Sequence, residues 1–121
     1  MKKYPEAIGP YSAYRRVGHL IYTSGQLPID PETNEFSSDK IEDQTRQSLL
    51  NVKAIIEENG GSMDDIVKTT VFLNDMSDFN AMNEVYKEFF CSPHPARTAV
   101  AVEKLPKNAL VEIEVIAALD K

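Results

Sequence analysis

Apolar residues recur along this chain with two different periods. Over 65–75, 97–102 and 110–119 they alternate with polar or small residues, which predicts three β-strands. Over 39–59 and 77–90 they recur every three or four residues, which predicts two amphipathic helices. The pair Gly60-Gly61 ends the first helix, since glycine accepts the left-handed backbone of a helix stop.

Each predicted helix has a start signal and one apolar face. Asp39 with Glu42 forms a plausible capping arrangement for the first helix, and Ser77 or Asp78 can cap the second. The predicted core-facing residues are Leu49, Leu50, Val52, Ile55 and Ile56 in the first helix, and Phe79, Met82, Val85, Tyr86, Phe89 and Phe90 in the second.

The order of the elements indicates an α/β fold. A short strand over 11–15 should pair with a strand over 19–27, with the turn near Val17 and Gly18. The order β-β-β-α-β-α-β-β then places two helices on one face of a mixed sheet. One face of the strand after the first helix should carry Val67, Thr69, Val71 and Leu73. The pattern alone favours a hairpin of the last two strands across "LPKNA".

Two charged positions interrupt this apolar pattern. Arg97 stands at the mouth of a strand, where it is either a surface cation at a sheet edge or a bidentate clamp for a carboxylate ligand. In the last strand, Glu112 and Glu114 share one face, and Val111, Ile113, Val115 and Ala117 share the other. The glutamates either meet solvent on an open sheet face or, for Glu112, reach a cleft beside Arg97.

The length of 121 residues predicts a single domain over 1–121. The start of the chain lacks the apolar core of a signal peptide and no stretch is long enough to span a membrane, so a cytoplasmic protein is expected. Cys91 is the only cysteine and cannot form an internal disulfide. A net charge of −6 with scattered basic residues argues against nucleic acid as a partner. His19 and His94 lack the spacing of zinc ligands, so no metal site is expected.

Five stretches of the chain together resemble the reactive-intermediate deaminases, the RidA or YjgF-like family. They are "AIGPYS" (7–12), "SGQLP" (24–28), "QSLLNVKAIIEENG" (47–60), "DIVKTTVFLNDMSDFNAMNEVY" (65–86) and "PARTAVAVEKLPKNALVEIEVIA" (95–117). Each is a weak signal alone, but their joint order and spacing over a short chain is a strong one.

The resemblance implies a fold like that of the chorismate mutase of bacilli. This is a six-stranded mixed sheet backed by two helices, assembled as a homotrimer whose three sheets line a central barrel. It also implies that the last strand inserts between strands three and four. The residue pattern favours a hairpin there, and a loop as short as "LPKNA" allows either arrangement.

The resemblance implies an enzyme without cofactor or metal, a 2-iminobutanoate/2-iminopropanoate deaminase. Members hydrolyse enamine and imine acids such as 2-aminoacrylate to 2-keto acids and ammonia, which limits metabolite damage. Arg97 matches the family's carboxylate-gripping arginine, and Glu112 matches its water-activating glutamate. The other positions that match the family's pocket, which lies between subunits, are Tyr11, Ser24, Gly25, Asn83 and Ala99. Ala99 replaces a cysteine of well-known members, where the backbone carbonyl contacts the ligand.

Two other functions compete with the deaminase. One is a non-catalytic trimer that binds small carboxylates such as 2-keto acids, for which Glu112 would have no evident use. The other is ribonuclease or translation inhibition, which the acidic balance of the chain disfavours.

Overall fold

A five-stranded sheet backed by two helices forms the body of the protein in the computed structural model, which describes residues 3–119. The single-domain prediction also covers Met1, Lys2, Asp120 and Lys121, which lie outside the described residues. The elements are β1 (Tyr14–Val17), β2 (Leu20–Thr23), β3 (Ile29–Asp30), β4 (Glu35–Phe36), α1 (Ile41–Glu58), β5 (Ile66–Leu73), α2 (Phe79–Tyr86), β6 (Ala96–Ala101) and β7 (Val111–Ala118).

The strand order in the main sheet is β1-β2-β7-β5-β6, and β3 and β4 form a separate two-stranded ladder. The main sheet therefore has five strands, and the prediction of six is wrong by one. After β2 the chain keeps only an isolated bridge between Gln26 and Ile113 and then leaves the sheet. Pro28 follows at once, and a proline cannot donate to a strand ladder.

The last strand lies in the middle of the sheet. β7 pairs antiparallel with both β2 and β5, while β6 lies outside β5 and runs parallel to it. The hairpin that the residue pattern favoured is therefore wrong. A 3-10 turn with left-handed backbone at Lys107 and Asn108 carries the chain past β5. The resemblance implied that the last strand inserts between strands three and four. β7 does lie beside β5, which is the predicted fourth strand, but its other neighbour is β2.

The sheet has one covered face and one open face. Val111, Ile113, Val115 and Ala117 are buried under the helices as predicted, while Glu112 and Glu114 lie on the open face. On β5 the predicted buried face holds at Thr69, Val71 and Leu73 but fails at Val67, which is 48% exposed. The register shifts between Ile66 and Lys68, and this bulge turns Val67 outward.

Both helices differ from the predictions at their ends. α1 begins two residues late. Lys40 occupies the cap position before it and makes no side-chain cap hydrogen bond, so the predicted role of Asp39 is wrong. α2 begins at Phe79 after a 3-10 turn that is capped by the Asp75 side chain, which accepts from the Ser77 amide. Leu50 is 43% exposed, so the apolar face of α1 is narrower than predicted. Its core residues are Ile41, Leu49, Val52, Ile55 and Ile56.

Buried amides on α1 hold the backbone of neighbouring segments. The Asn51 amide nitrogen donates to the carbonyls of Leu27 and Ile29 at 3.1 and 3.0 Å. The Gln44 carbonyl oxygen accepts from the Leu110 amide at 2.8 Å, just before β7 begins. The helix thereby fixes two segments that flank Glu112.

The N-terminal segment is fastened to the end of α1. The hydroxyls of Tyr4 and Tyr14 both donate to Glu58 Oε2, at 2.9 and 3.0 Å, and their rings meet edge to face. Burial and the Glu58 carboxylate raise the pKa of Tyr4 to about 12, so its hydroxyl stays a donor. The chain between these two tyrosines, which carries Tyr11, is thus held at both ends.

Candidate functional site

Arg97 lies near the start of the edge strand β6 and points toward α2. Its register partner on β5 is Thr69, whose side chain is fully buried on the helix-covered face. The guanidinium Nη1 donates to Asn83 Oδ1 at 2.6 Å, and its carbon lies 4.7 Å from the ring centre of Tyr86 and 5.4 Å from that of Phe79. Arg97 is therefore exposed but held in one place.

No carboxylate of the chain pairs with Arg97 within residues 3–119. Asn83 takes one of the five N–H groups of the guanidinium, and the rings of Phe79 and Tyr86 lie at cation–π distance from its carbon. The remaining N–H groups are thus available to a ligand. A planar fork of this kind matches both oxygens of a carboxylate.

Glu112 lies on the opposite, open face of the sheet and is half-buried in β7. Burial raises the pKa of its carboxyl, and the negative charge of Glu114 raises it further. A carboxyl shifted in this direction is a better proton acceptor near neutral pH than an ordinary glutamate.

Gly25 closes over the carboxyl group of Glu112. A Cβ atom at this position would lie 2.7 Å from the carboxyl carbon of Glu112 and 2.9 Å from its Cγ. Real side chains do not approach so closely, so a larger residue here would force the Glu112 carboxyl group out of its place. The Gln26 amide donates to the Ile113 carbonyl at 2.7 Å and fixes this approach.

Tyr11 and Ser24 lie on the Glu112 side of the molecule. The Ser24 hydroxyl donates to the Ser12 carbonyl at 2.7 Å, so its oxygen is left as an acceptor. Tyr11 is 54% exposed and shares with Gly25 the wall of a cavity of about 80 Å³. Apolar residues of that wall include Ala7, Ile8, Ala13 and Leu27.

The predicted site residues therefore form two groups. The arginine group contains Arg97, Asn83 and Ala99, which is half-buried opposite Val71 on the helix-covered face. The glutamate group contains Glu112, Gly25, Ser24 and Tyr11. One chain does not bring the two groups together.

The sheet register shows how far apart the groups lie. Against β5, Arg97 is level with Thr69, whereas Glu112 is level with Phe72. Two strand spacings of about 4.8 Å and three residue steps of about 3.3 Å separate their Cα atoms. The cleft expected beside Arg97 for Glu112 is thus absent within one chain, where Glu114 is closer in register.

Tyr86 and Phe79 are the contacts of Arg97 that the sequence reasoning missed. Both were assigned to the apolar face of the second helix, where an aromatic residue is ordinarily core. The signal lay in the spacing of Phe79, Asn83 and Tyr86, which recur at i, i+4 and i+7 and so share one face.

Neither a metal nor a membrane-spanning helix is indicated in the described part of the chain. Residues 3–119 contain no group of three His, Cys, Asp or Glu side chains that could hold a metal ion. Within the same range no helix is long and apolar enough to cross a membrane.

Comparison with known proteins relates the chain to one family along nearly its whole length. Residues 1–119 match the family described as Endoribonuclease L-PSP. A 2-iminobutanoate/2-iminopropanoate deaminase of Dermatophagoides farinae is 47% identical over 116 residues, covering 96% of this chain and 91% of the relative.

Two solved structures share both sequence and fold with the chain. RidA from the Antarctic bacterium Psychrobacter sp. is 47% identical with a TM-score of 0.93, covering 97% of this chain and 94% of that one. TdcF of E. coli, solved with bound serine, is 47% identical with a TM-score of 0.90, covering 96% and 93%. The chain belongs to the Endoribonuclease L-PSP family, which includes RidA.

Proposed function

We propose that this protein hydrolyses 2-imino and 2-enamino carboxylic acids, such as 2-iminopropanoate and 2-aminoacrylate, to 2-keto acids and ammonia. The observation that carries the proposal is a pair of charged groups, one that can bind a carboxylate and one that can accept a proton. Arg97 is an oriented cation without a carboxylate partner among residues 3–119, and Glu112 is a half-buried carboxyl with a raised pKa. A relative named as a 2-iminobutanoate/2-iminopropanoate deaminase supports this substrate class.

The reaction needs little more than these groups. An iminium carbon is already electrophilic, so the site has to hold the carboxylate, place a water and move protons. Arg97 binds the substrate carboxylate through its free N–H groups. The Ser24 oxygen, whose hydrogen is committed to Ser12, accepts from the iminium N–H.

Glu112 takes a proton from the water as its oxygen bonds to the iminium carbon. The proton then passes from Glu112 to the nitrogen of the resulting carbinolamine and the C–N bond breaks. The departing ammonia takes the hydroxyl proton, which leaves the keto group and an ammonium ion. An enamine substrate first takes a proton at its terminal carbon to become the imine. One iminium ion and one water give one keto acid and one ammonium ion, and Glu112 returns to its ionised form, so the step balances without metal or cofactor.

We further propose that the protein acts as a homotrimer with each site shared between neighbouring copies. Arg97 and Glu112 lie on opposite faces of one sheet, so a second copy is required to bring the two groups together. The open face carries apolar side chains for such a contact, with Tyr22 42% and Val100 39% exposed.

The second candidate is a trimer that binds small carboxylates without turnover, and the solved relative with bound serine favours it. Ribonuclease activity, which the family description mentions, is disfavoured by the net charge of −6. The partners that we propose are thus small imine and keto acids, and not nucleic acid or a membrane. The proposed location is the cytoplasm.

Keto-acid release from freshly generated 2-aminoacrylate tests the proposal. The parent should accelerate release, and Glu112→Gln should slow it by roughly 10²-fold or more while 2-oxobutanoate binding changes little. Arg97→Lys should lose both activity and binding, since lysine lacks the bidentate fork. Arg46→Lys, at an exposed ion pair with Glu88, is the control. A parent protein that binds 2-oxobutanoate but does not accelerate release would instead establish the binding module.

A further inference from the structure

The guanidinium of Arg97 rests on the ring of Tyr86, and that ring is itself fixed from behind. The Tyr86 hydroxyl and the Thr69 hydroxyl are hydrogen-bonded at 2.8 Å, and both residues are buried. Thr69 is also the register partner of Arg97 across the β5-β6 pair. The same position of the sheet thus anchors both the backbone of Arg97 and the ring beneath its side chain.

This arrangement limits the mobility that an exposed arginine on an edge strand otherwise has. A long side chain in solvent samples many rotamers, and a ligand must pay the entropy of fixing it. The Tyr86 ring attracts the cation through its negative face. Asn83 takes one N–H group of the guanidinium, and the fork has further N–H groups that can meet a carboxylate.

We propose that Tyr86 is a positioning residue that holds Arg97 in its carboxylate-binding geometry, with Thr69 fixing the ring. The inference rests on the proposed role of Arg97 in ligand binding. It assigns to Tyr86 and Asn83 a joint task, in which Asn83 binds one N–H group and Tyr86 holds the guanidinium over its ring.

Phe90 provides a matched control for effects on the core. Its ring packs on Tyr86 with centroids 4.5 Å apart and Phe90 is equally buried, yet among residues 3–119 it makes no cation–π contact with Arg97. Phe90→Leu and Tyr86→Leu remove similar aromatic packing. They differ in that Tyr86→Leu also removes the ring that contacts the guanidinium of Arg97.

Binding of 2-oxobutanoate, followed by calorimetry, is the first measurement. Tyr86→Leu should raise Kd roughly threefold to thirtyfold, the range expected for a lost cation–π contact. Tyr86→Phe keeps the ring and should stay within about threefold of the parent. Phe90→Leu should lower thermal stability as Tyr86→Leu does but leave Kd within about twofold. Equal weakening by both leucine variants would overturn the proposal.

A double-mutant cycle tests the part played by Thr69. Thr69→Val keeps the shape and leaves the Tyr86 hydroxyl without its partner, whereas Tyr86→Phe removes that hydroxyl. If the two hydroxyls act on Arg97 as one unit, the double variant should bind 2-oxobutanoate no more weakly than the single variant that binds it more weakly. Fully additive losses in binding, or single variants that both bind like the parent, would remove Thr69 from the proposal.

NMR of the Arg97 side chain separates this inference from the proposed enzyme activity, since no ligand is needed. Ring-current shifts of the Arg97 Cδ protons should be present in the parent and in Tyr86→Phe, and should fall in Tyr86→Leu to the smaller contribution of the Phe79 ring, whose centre lies farther from the guanidinium. They should persist in Phe90→Leu. Shifts in the parent that match those of a free arginine would overturn the inference, whatever the protein does to imines.

Discussion

The surroundings of one carboxyl, Glu112, decide when the site can accept a proton. Burial raises its pKa and the charge of Glu114 raises it further, so Glu112 becomes protonated at a higher pH than an exposed glutamate. A base must be ionised to work, and the rate should therefore fall as pH decreases through this raised pKa.

Replacing Glu114 should move that acid limb of the pH–rate profile. Glu114→Gln removes the like charge, so the pKa of Glu112 falls toward its usual value and activity extends to lower pH. The contribution of burial remains, so the shift should be partial. Initial rates of keto-acid release across about pH 4 to 8 measure it. An acid limb that stays where it is in Glu114→Gln would exclude Glu112 as the titrating base.

Two glycines should respond in opposite ways to the same added methyl group. Gly25→Ala places a Cβ against the Glu112 carboxyl in a backbone that tolerates alanine, so activity should fall at least tenfold with modest loss of stability. Gly18 has open space but a φ of 58°, so Gly18→Ala should cost about 1 kcal/mol of stability and leave activity unchanged.

Enzyme assays and urea unfolding on both alanine variants separate the two effects. A Gly25→Ala protein with parental turnover would show that the Glu112 carboxyl can move without consequence. It would thereby contradict the close-packed geometry of the glutamate group.

At the scale of elements, α1 acts on the site through its buried amides. Asn51→Leu keeps the branched shape of the side chain but leaves the Leu27 and Ile29 carbonyls without their donor, which should lower the free energy of unfolding by about 2–4 kcal/mol. Asn59→Leu is the comparison, since its amide donates to the Ile55 carbonyl of its own helix rather than to the backbone of another segment. Urea denaturation of the two variants should rank Asn51→Leu as clearly less stable, and equal losses would contradict a bridging role.

Local pattern predicted the existence and type of these elements better than their partners. Alternation along β7 placed each of its side chains on the correct face, because that signal is carried by consecutive residues. The hairpin across "LPKNA" was wrong because strand neighbours depend on long-range packing, which a loop does not encode. Val67 was misplaced because a bulge changes the face of a residue without any change in residue type.

The site shows the same division between local and long-range information. The residue types of Arg97 and Glu112 were conspicuous in apolar strands, so both could be singled out. The ring of Tyr86 beneath Arg97 could not, because an aromatic residue on an apolar helix face looks like core in any sequence. The separation of Arg97 from Glu112 followed only from the position of β7 between β2 and β5.

At the scale of the whole molecule, that separation makes assembly a condition of activity. If every site takes its arginine from one copy and its glutamate from the next, the interface is heterologous and closes into a ring. Sedimentation equilibrium of a trimer should return three times the 13.6 kDa chain mass. A stable, active monomer would contradict the shared site.

Mixed assemblies give a sharper test of the shared site. Arg97→Lys and Glu112→Gln are each expected to be inactive alone, since each spoils every site of its own trimer. In a trimer assembled from equal amounts of both, a site is intact when a Glu112→Gln copy supplies its arginine and an Arg97→Lys copy supplies its glutamate. Random assembly makes this true of about one site in four.

Co-expression of the two variants with different tags, followed by purification through both tags, isolates the mixed trimers. A closed ring of three that contains both variants always has one junction of the required order, so about one third of its sites should be intact. Recovery of that fraction of the parental rate requires both groups to meet across an interface. If both residues of a site came from one chain, no mixture of the variants could restore activity, because every chain would still lack one of them.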